Sequence, residues 1–145
     1  MQTIKIKIKK LNPEAIIPSY AHPGDAGLDL YSVEDLVLNP GERATIATGL
    51  AIELPEGYVS LIWDKSGLAS KNGIKTMGGV IEHTYRGEYK IIMFNSSKEK
   101  FEIKKCQKIA QLLVQPIITV EIEEVSELND TSRGTGGFGS TGLNK

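Results

Sequence analysis

The chain has 145 residues with a single cysteine, Cys106, and two histidines, His22 and His83. One cysteine cannot close an internal disulfide, and one thiol with two imidazoles makes a poor ligand set for structural zinc. Neither kind of cross-link holds this fold together. An excess of charge of one sign is also missing: 17 Lys and Arg stand against 18 Asp and Glu, a formal net charge of −1. A surface that coats polymeric nucleic acid needs a basic excess, so a free nucleotide is the better match and no nucleic-acid partner is expected. No run of about 18 apolar residues is present to cross a membrane. The leading segment MQTIKIKIKK alternates in character and lacks the apolar stretch of a secretory signal. The expectation is a cytoplasmic protein with no membrane partner.

Helical periodicity is scarce as well, which argues against a bundle or a doubly wound fold. In its place runs a period of two. Ile4, Ile6 and Ile8 alternate with lysines, as in a strand with one wet face. Further strand-like runs are TIATGLAIEL, YVSLIW, EYKIIMF, IAQLLVQ and ITVEIEEV, separated by the turn-rich NPGE, LPEG, SKNG and NSSKEK. Only SGLASKNG, with Ser66 as cap, suits a short helical turn. These patterns predict an all-β fold, a sandwich, jelly roll or barrel of short strands, with Cys106 as a small core or interface residue. The last strand is expected to end near Val125, giving a β domain over 1–128 and a flexible Gly-rich arm over 129–145.

That arm contains RGTGGFGSTG, from Arg133 to Gly142. Gly134, Gly136 and Gly139 satisfy G-x-G-x-x-G, yet a dinucleotide fingerprint also needs a strand before it, a helix after it and an acidic residue about 20 positions on. A Walker loop needs Lys followed by Ser or Thr after its last glycine, and Gly139 is followed directly by Ser140 and Thr141. Both familiar phosphate loops are excluded. Composition alone describes a mobile tail, but an arginine can grip phosphate in bidentate fashion and an aromatic ring can stack on a base. Arg133 and Phe138 therefore suit a lid that orders over a nucleotide.

Three more polar clusters interrupt the strands: HPGDAGLDLYS at 22–32, DKSGLAS at 64–70 and GGVIEHTYRGE at 78–88. Each taken singly is ordinary turn chemistry. Together they supply cations at Lys65 and Arg133, hydroxyls at Ser66, Ser140 and Thr141, and carboxylates at Asp29 and Glu82. Phosphoryl transfer needs that set: groups that position phosphate, support for Mg²⁺, and a residue that orients the attacking water.

In order along the chain, AGLDLYS, KSGLA, GVIEHTYRGE, KIAQL and RGTGGFGSTG resemble the five motifs of the trimeric deoxyuridine triphosphatases (dUTPases), over roughly His22 to Gly142. The resemblance implies a jelly-roll-like distorted barrel, a homotrimer with sites at subunit interfaces, and Mg²⁺-assisted hydrolysis of dUTP to dUMP and pyrophosphate. It also implies roles. Phe138 would stack on uracil, while Arg133, Gly139, Ser140 and Thr141 would meet the terminal phosphates. Lys65, Ser66, Gly67 and Gln111 would hold the phosphate chain, and Asp29 would act through the water shell of the metal. Glu82 would be the catalytic base. Residues 79–90 would form a uracil hairpin in which main-chain groups of Ile81 and Lys90 pair with the base, Tyr85 packs on the deoxyribose, and Thr76 and Val80 complete the substrate contacts.

Three departures from the family pattern span five positions. Glu82 stands where the family usually has Asp, Lys65 where it has Arg, and Cys106-Gln107-Lys108 where it has Gly-Asp-Arg. Glutamate moves the carboxylate by about 1.5 Å, and a displacement of about 1 Å can cost about 10²-fold in rate. Lysine keeps charge but loses the bidentate fork. The alternative to an active dUTPase is therefore a catalytically weakened dUTP-binding or regulatory protein of the same fold. A third reading, dCTP deaminase, shares the fold but fits the Arg133 and Phe138 arm less well.

Overall fold

The computed structural model describes residues 3–142. Its strands are β1 (Lys7–Lys10), β2 (Ser19–Tyr20), β3 (Leu28–Tyr31), β4 (Leu36–Leu38), β5 (Arg43–Glu53), β6 (Tyr58–Trp63), β7 (Ile74–Met77), β8 (Val80–Glu82), β9 (Glu88–Asn95), β10 (Phe101–Ile103) and β11 (Lys108–Pro116), with one helix, α1 (Ser66–Asn72), between β6 and β7. The expected all-β class is what the chain adopts. Strands β1-β5-β9-β7 make a four-stranded sheet, β2-β3-β11-β6-β8 a five-stranded sheet and β10-β4 a two-stranded one.

One face of each strand supplies the core. Ile46, Ile52, Ile91 and Met93 from the four-stranded sheet meet Leu30, Ile62, Ile109 and Leu112 from the five-stranded sheet, and Leu38 and Ile103 join from the small sheet. Truncating one such residue to alanine costs about 2–5 kcal/mol, because the cavity only partly collapses. Tyr89 is fully buried among them, and its Oη lies 2.8 Å from Ser60 Oγ, which satisfies the one polar atom that burial would otherwise strand. Ile6 and Ile8 pack against this core while the intervening lysines face solvent, as the alternation predicts.

Four expectations are corrected. ITVEIEEV forms no strand: β11 ends at Pro116, and Ile118, Val120 and Ile122 are exposed. Alternation there specifies two faces, but no neighbouring strand within the chain takes up its backbone. Ser66 is the first residue of α1 rather than its cap; Lys65 is the cap, with no side-chain cap bond. Cys106 is exposed at the β10–β11 turn and carries φ +66°, a left-handed conformation that a core position does not require. Residues 79–90 do not form a two-stranded ladder, because β8 pairs with β6 and β9 pairs with β5 and β7. The segment is a corner that passes from one sheet to the other.

Residues 117–142 contain neither strand nor helix, and of the arm expected over 129–145 the last three residues lie outside the described chain. Cα-level turns recur along it, with Gly136 N–H donating to the Arg133 carbonyl and Ser140 N–H to the Gly137 carbonyl.

Candidate functional site

The corner between the sheets borders an open cavity of about 720 Å³ whose lining includes Val80, Ile81, Glu82, Tyr85, Glu88 and Lys90. Its geometry follows from pairing that stops. β8 is the outermost strand of its sheet, so its far edge has no strand neighbour. β7 follows β9 only as far as Met77 opposite Ile92, so the β9 edge near Lys90 is open on that side. Two half-edges of backbone thus face one cavity, and a flat heterocycle with alternating donors and acceptors is the shape they can pair with.

Neighbouring groups hold that slot. Ile62 N–H donates to the Gly79 carbonyl at 2.7 Å, and a Cβ at Gly79 would lie 2.8 Å from the Ile62 carbonyl oxygen, so only glycine lets β8 approach β6 this closely. On the opposite wall, Thr48 Oγ1 donates to the Tyr89 carbonyl at 2.5 Å, and Gly49 N–H donates to Glu88 Oε1 at 2.9 Å. These contacts sit where the β5–β9 register shifts between Ala47 and Ala51. Tyr85 lines the same cavity: Oη donates to the Glu88 carbonyl at 3.1 Å, and the ring lies 6.2 Å from that of Tyr89. Glu82 ends β8 on the cavity wall, exposed, and its carboxylate makes no hydrogen bond or ion pair with another described residue.

A second cavity, about 530 Å³, is lined by Asp25, Gly27, Asp29, Trp63, Asp64, Lys65 and Gln111 among others. Sheet register brings them together. Asp29 of β3 stands opposite Gln111 of β11, which stands opposite Trp63 of β6, so the three share one row and one face. Immediately after Trp63 the chain turns into α1, which adds Asp64 and Lys65 at the end of the row. Gly27 leaves room for the amide, since a Cβ there would lie 2.3 Å from Gln111 Oε1.

Asp29 is the buried charge of this cavity, 2% exposed. Lys65 Nζ donates to its Oδ1, and Lys108 Nζ lies 2.7 Å from its Oδ2. Burial pushes the Asp29 carboxyl up, but the ammonium groups of Lys108 and Lys65 outweigh that effect and hold it below the usual carboxylate value. The same bond raises Lys108. Asp64, overlooked in the motifs, is similarly held low: burial raises it, and Lys75 and Thr76 more than compensate.

The candidate residues therefore divide between two cavities and three places outside their linings. Val80, Ile81, Glu82, Tyr85 and Lys90 line the first cavity, and Asp29, Lys65 and Gln111 line the second; the two linings share no residue. Ser66 and Gly67 open α1 directly beyond Lys65. Thr76 lines neither cavity; its N–H and hydroxyl both donate to Asp64 Oδ1 at 2.6 Å. Arg133, Phe138, Gly139, Ser140 and Thr141 lie apart from both, all exposed, with Arg133 Nε donating to the Gly136 carbonyl at 2.8 Å. Asp64 and Trp63 are the residues the motif reading missed. The row across β3, β11 and β6 brings in Trp63, and the bonds from Thr76, Lys75 and Gln111 bring in Asp64.

A protein-family model described as dUTPase matches residues 13–142. A deoxyuridine 5'-triphosphate nucleotidohydrolase of Nautilia profundicola is 53% identical over 141 residues, covering 96% of this chain and 99% of that one. One of Clostridioides difficile is 52% identical over 140 residues, covering 95% and 98%. Among solved structures, a mutant dUTPase of Staphylococcus bacteriophage 80alpha with dUpNHpp superposes with a TM-score of 0.91 at 32% identity, covering 97% of this chain and 100% of that one. A mutant dUTPase from phage phi11 of S. aureus, described as coordinating a structural Mg(II) ion, gives 0.81 at 30%, covering 88% and 100%.

Proposed function

The chain belongs to the dUTPase family, and from that premise we propose how its own residues hydrolyse dUTP to dUMP and pyrophosphate. The observation that carries the reading is the slot between the open edges of β8 and β9, with Tyr85 and Glu82 on its wall. Uracil presents a donor flanked by acceptors, which main-chain groups of Ile81 and Lys90 can match. Cytosine's edge would leave those groups unpaired, a penalty that rejects it more strongly than shape alone. Thymine's methyl needs room that a closed slot lacks, and Tyr85 against the sugar would clash with a ribose 2′-hydroxyl.

Glu82 is the base. A water held by its carboxylate attacks the α-phosphorus, the proton passes to Glu82, and the bond from phosphorus to the bridging oxygen breaks to release pyrophosphate. Lys65, Ser66, Gly67 and Gln111 grip the phosphates. Phosphate oxygens compete with Asp29 for the Lys65 ammonium, and that exchange frees one oxygen of a carboxylate otherwise matched by two cations.

Mg²⁺ fits this donor set in a particular way. Among the described residues no three His, Cys, Asp or Glu side chains converge as a metal cage, whereas Mg²⁺ is commonly held by substrate phosphates, waters and one or two carboxylates. Asp29 is the carboxylate that would hold its water shell. The ion, when bound, neutralises charge on the phosphate oxygens.

The active unit is a homotrimer. One dUTP needs both the base slot and the phosphate cluster, which are separate cavities in one chain, and neither includes Phe138 or Arg133. A neighbouring copy supplies the missing half. Residues 118–125 support this assembly: their exposed apolar face and acidic face are complementary to a strand edge such as β1, whose lysines are exposed. No helix among the described residues is long and apolar enough to cross a membrane, which accords with action on a free nucleotide in the cytoplasm. The arm closes as a lid through its residues 129–142, with Phe138 stacking on the base and Arg133, Gly139, Ser140 and Thr141 at the phosphates.

Pyrophosphate release from dUTP, dCTP, dTTP and UTP with Mg²⁺ tests the reading. Turnover of dUTP alone is expected. Equal turnover of UTP would remove the sugar filter, and equal turnover of dTTP the closed slot. Binding of dUTP without turnover would favour the regulatory alternative motivated by Glu82.

A further inference from the structure

We propose that Asp64 is a positioning residue for the phosphate-binding corner, holding Lys65 and Gln111 in register through bonds made by both its carboxylate and its carbonyl. The inference rests on the placement of the phosphates at Lys65 and Gln111, and adds a residue outside the five motifs. Asp64 sits between the last residue of β6 and the cap of α1. Its Oδ1 accepts from Thr76 N–H and Thr76 Oγ1, both at 2.6 Å, and Lys75 Nζ lies 2.8 Å from its Oδ2. Its carbonyl accepts from Gln111 Nε2 at 2.8 Å. Thus β7 grips the side chain while β11 grips the main chain of the same residue.

The need for such a clamp is local. Lys65 caps α1 in extended conformation with no side-chain bond to the helix, so the usual Ser, Thr or Asp cap that would fix this corner is absent. Asp29 holds the Lys65 ammonium, and the neighbouring Asp64 holds the turn that carries it. Thr76 is 7% exposed and spends both donors on this carboxylate, so loss of the acceptor strands two buried polar groups and releases the corner to relax. Gln111, whose amide depends on the Asp64 carbonyl, would follow. Asp64 reaches no reacting atom in this scheme; it acts through Lys65 and Gln111.

The two ends of the substrate separate this role from general stability. Calorimetry with the full chain and Mg²⁺ would follow pyrophosphate, which needs the corner, and deoxyuridine, which binds at the β8–β9 slot and carries no group that reaches the corner. Asp64→Ala is expected to weaken pyrophosphate about tenfold or more and to raise KM for dUTP, with deoxyuridine affinity within about twofold. Asp64→Asn keeps Oδ1 and both Thr76 bonds, losing the charge and the acceptor opposite the exposed Lys75, a surface pair of small energy, and is expected to stay within about threefold of the parent. Thr76→Val, which deletes one donor, should fall between them, and it carries the test if Asp64→Ala does not fold. Parental pyrophosphate affinity in Asp64→Ala, equal losses of both ligands, or an Asn variant as weak as the Ala variant would each overturn the proposal. A parent that turns over dUTP but binds no pyrophosphate would overturn it too, whereas a parent without dUTP turnover speaks against the base and its chemistry instead.

Discussion

Replacing Gly87 with alanine should damage the choice of sugar more than it damages the fold. A Cβ built on Gly87 lies 2.3 Å from Tyr85 Oη, 2.5 Å from Cζ and 2.9 Å from Cε2, where ordinary contact begins near 3.4 Å. The deficit at Oη is 3.4 − 2.3 = 1.1 Å, so the ring has to swing out by about that much. It can do so cheaply: Tyr85 is 45% exposed, and the bond to give up is the 3.1 Å contact with the Glu88 carbonyl, itself at the surface. The expected loss of stability is about 1 kcal/mol, comparable to one exposed hydrogen bond with slight crowding. The loss of function is larger. A displacement of about 1 Å in a positioning group can cost about 10²-fold in rate, so kcat/KM for dUTP is expected to fall by about 10–100-fold. UTP should lose less, because the ring that excludes its 2′-hydroxyl has moved away. The assay is pyrophosphate release from dUTP and UTP by parent and Gly87→Ala, with thermal unfolding alongside. An unchanged dUTP to UTP ratio with parental turnover would refute the idea that Tyr85, held by the bare Gly87, filters the sugar.

Other outcomes follow from the same geometry. Glu82→Gln is expected to lower kcat by about 10²–10⁴-fold with dUTP affinity retained, and Glu82→Asp to raise kcat by restoring the shorter reach; steady-state kinetics with calorimetry reads both. Ending the chain at Leu128 should leave a folded trimer by light scattering with most turnover gone, since the described residues it removes, 129–142, contribute nothing to the core cluster. For Asp29, whose folded carboxyl is held below its ordinary value of 3.8, the ion-pair contribution is present above that value and is lost as pH falls through the lower folded one. Urea unfolding from pH 6 downward should therefore show the parent losing stability below about pH 3.8 more steeply than Asp29→Asn; parallel curves would mean that the two lysines do not stabilise the ionised form.

Much of the candidate site was legible from the chain itself, because the groups that carry phosphoryl chemistry are few in kind and lay in order along it. Their arrangement was not. The resemblance groups Thr76 with the substrate contacts, and the structure shows where its two donors go, both to Asp64. The resemblance gives Asp29 to the water shell of the metal, and only the structure shows that two lysines, from β11 and the α1 corner, also pair with it. Lys65 and Lys108 stand where the family pattern has arginine. The ammonium of each still reaches Asp29.

What the sequence by itself determined is local. The period of two in IKIKIK puts Ile6 and Ile8 on the core side, and the turn segments NPGE, LPEG and SKNG place Gly41, Gly57 and Gly73 at positive φ, because side-chain alternation and steric freedom at φ > 0 are properties of a few consecutive residues. ITVEIEEV shows the limit: it alternates as well as β1 does, yet it stays exposed and unpaired within this chain. Whether an alternating segment becomes a strand depends on an edge that accepts its backbone, and β8 finds that edge on β6 rather than on β9, which follows it in sequence. Only the tertiary structure decided that crossing. Burial of the shared core fixes which strands lie side by side, and the slot between β8 and β9 exists because each strand found its partner elsewhere.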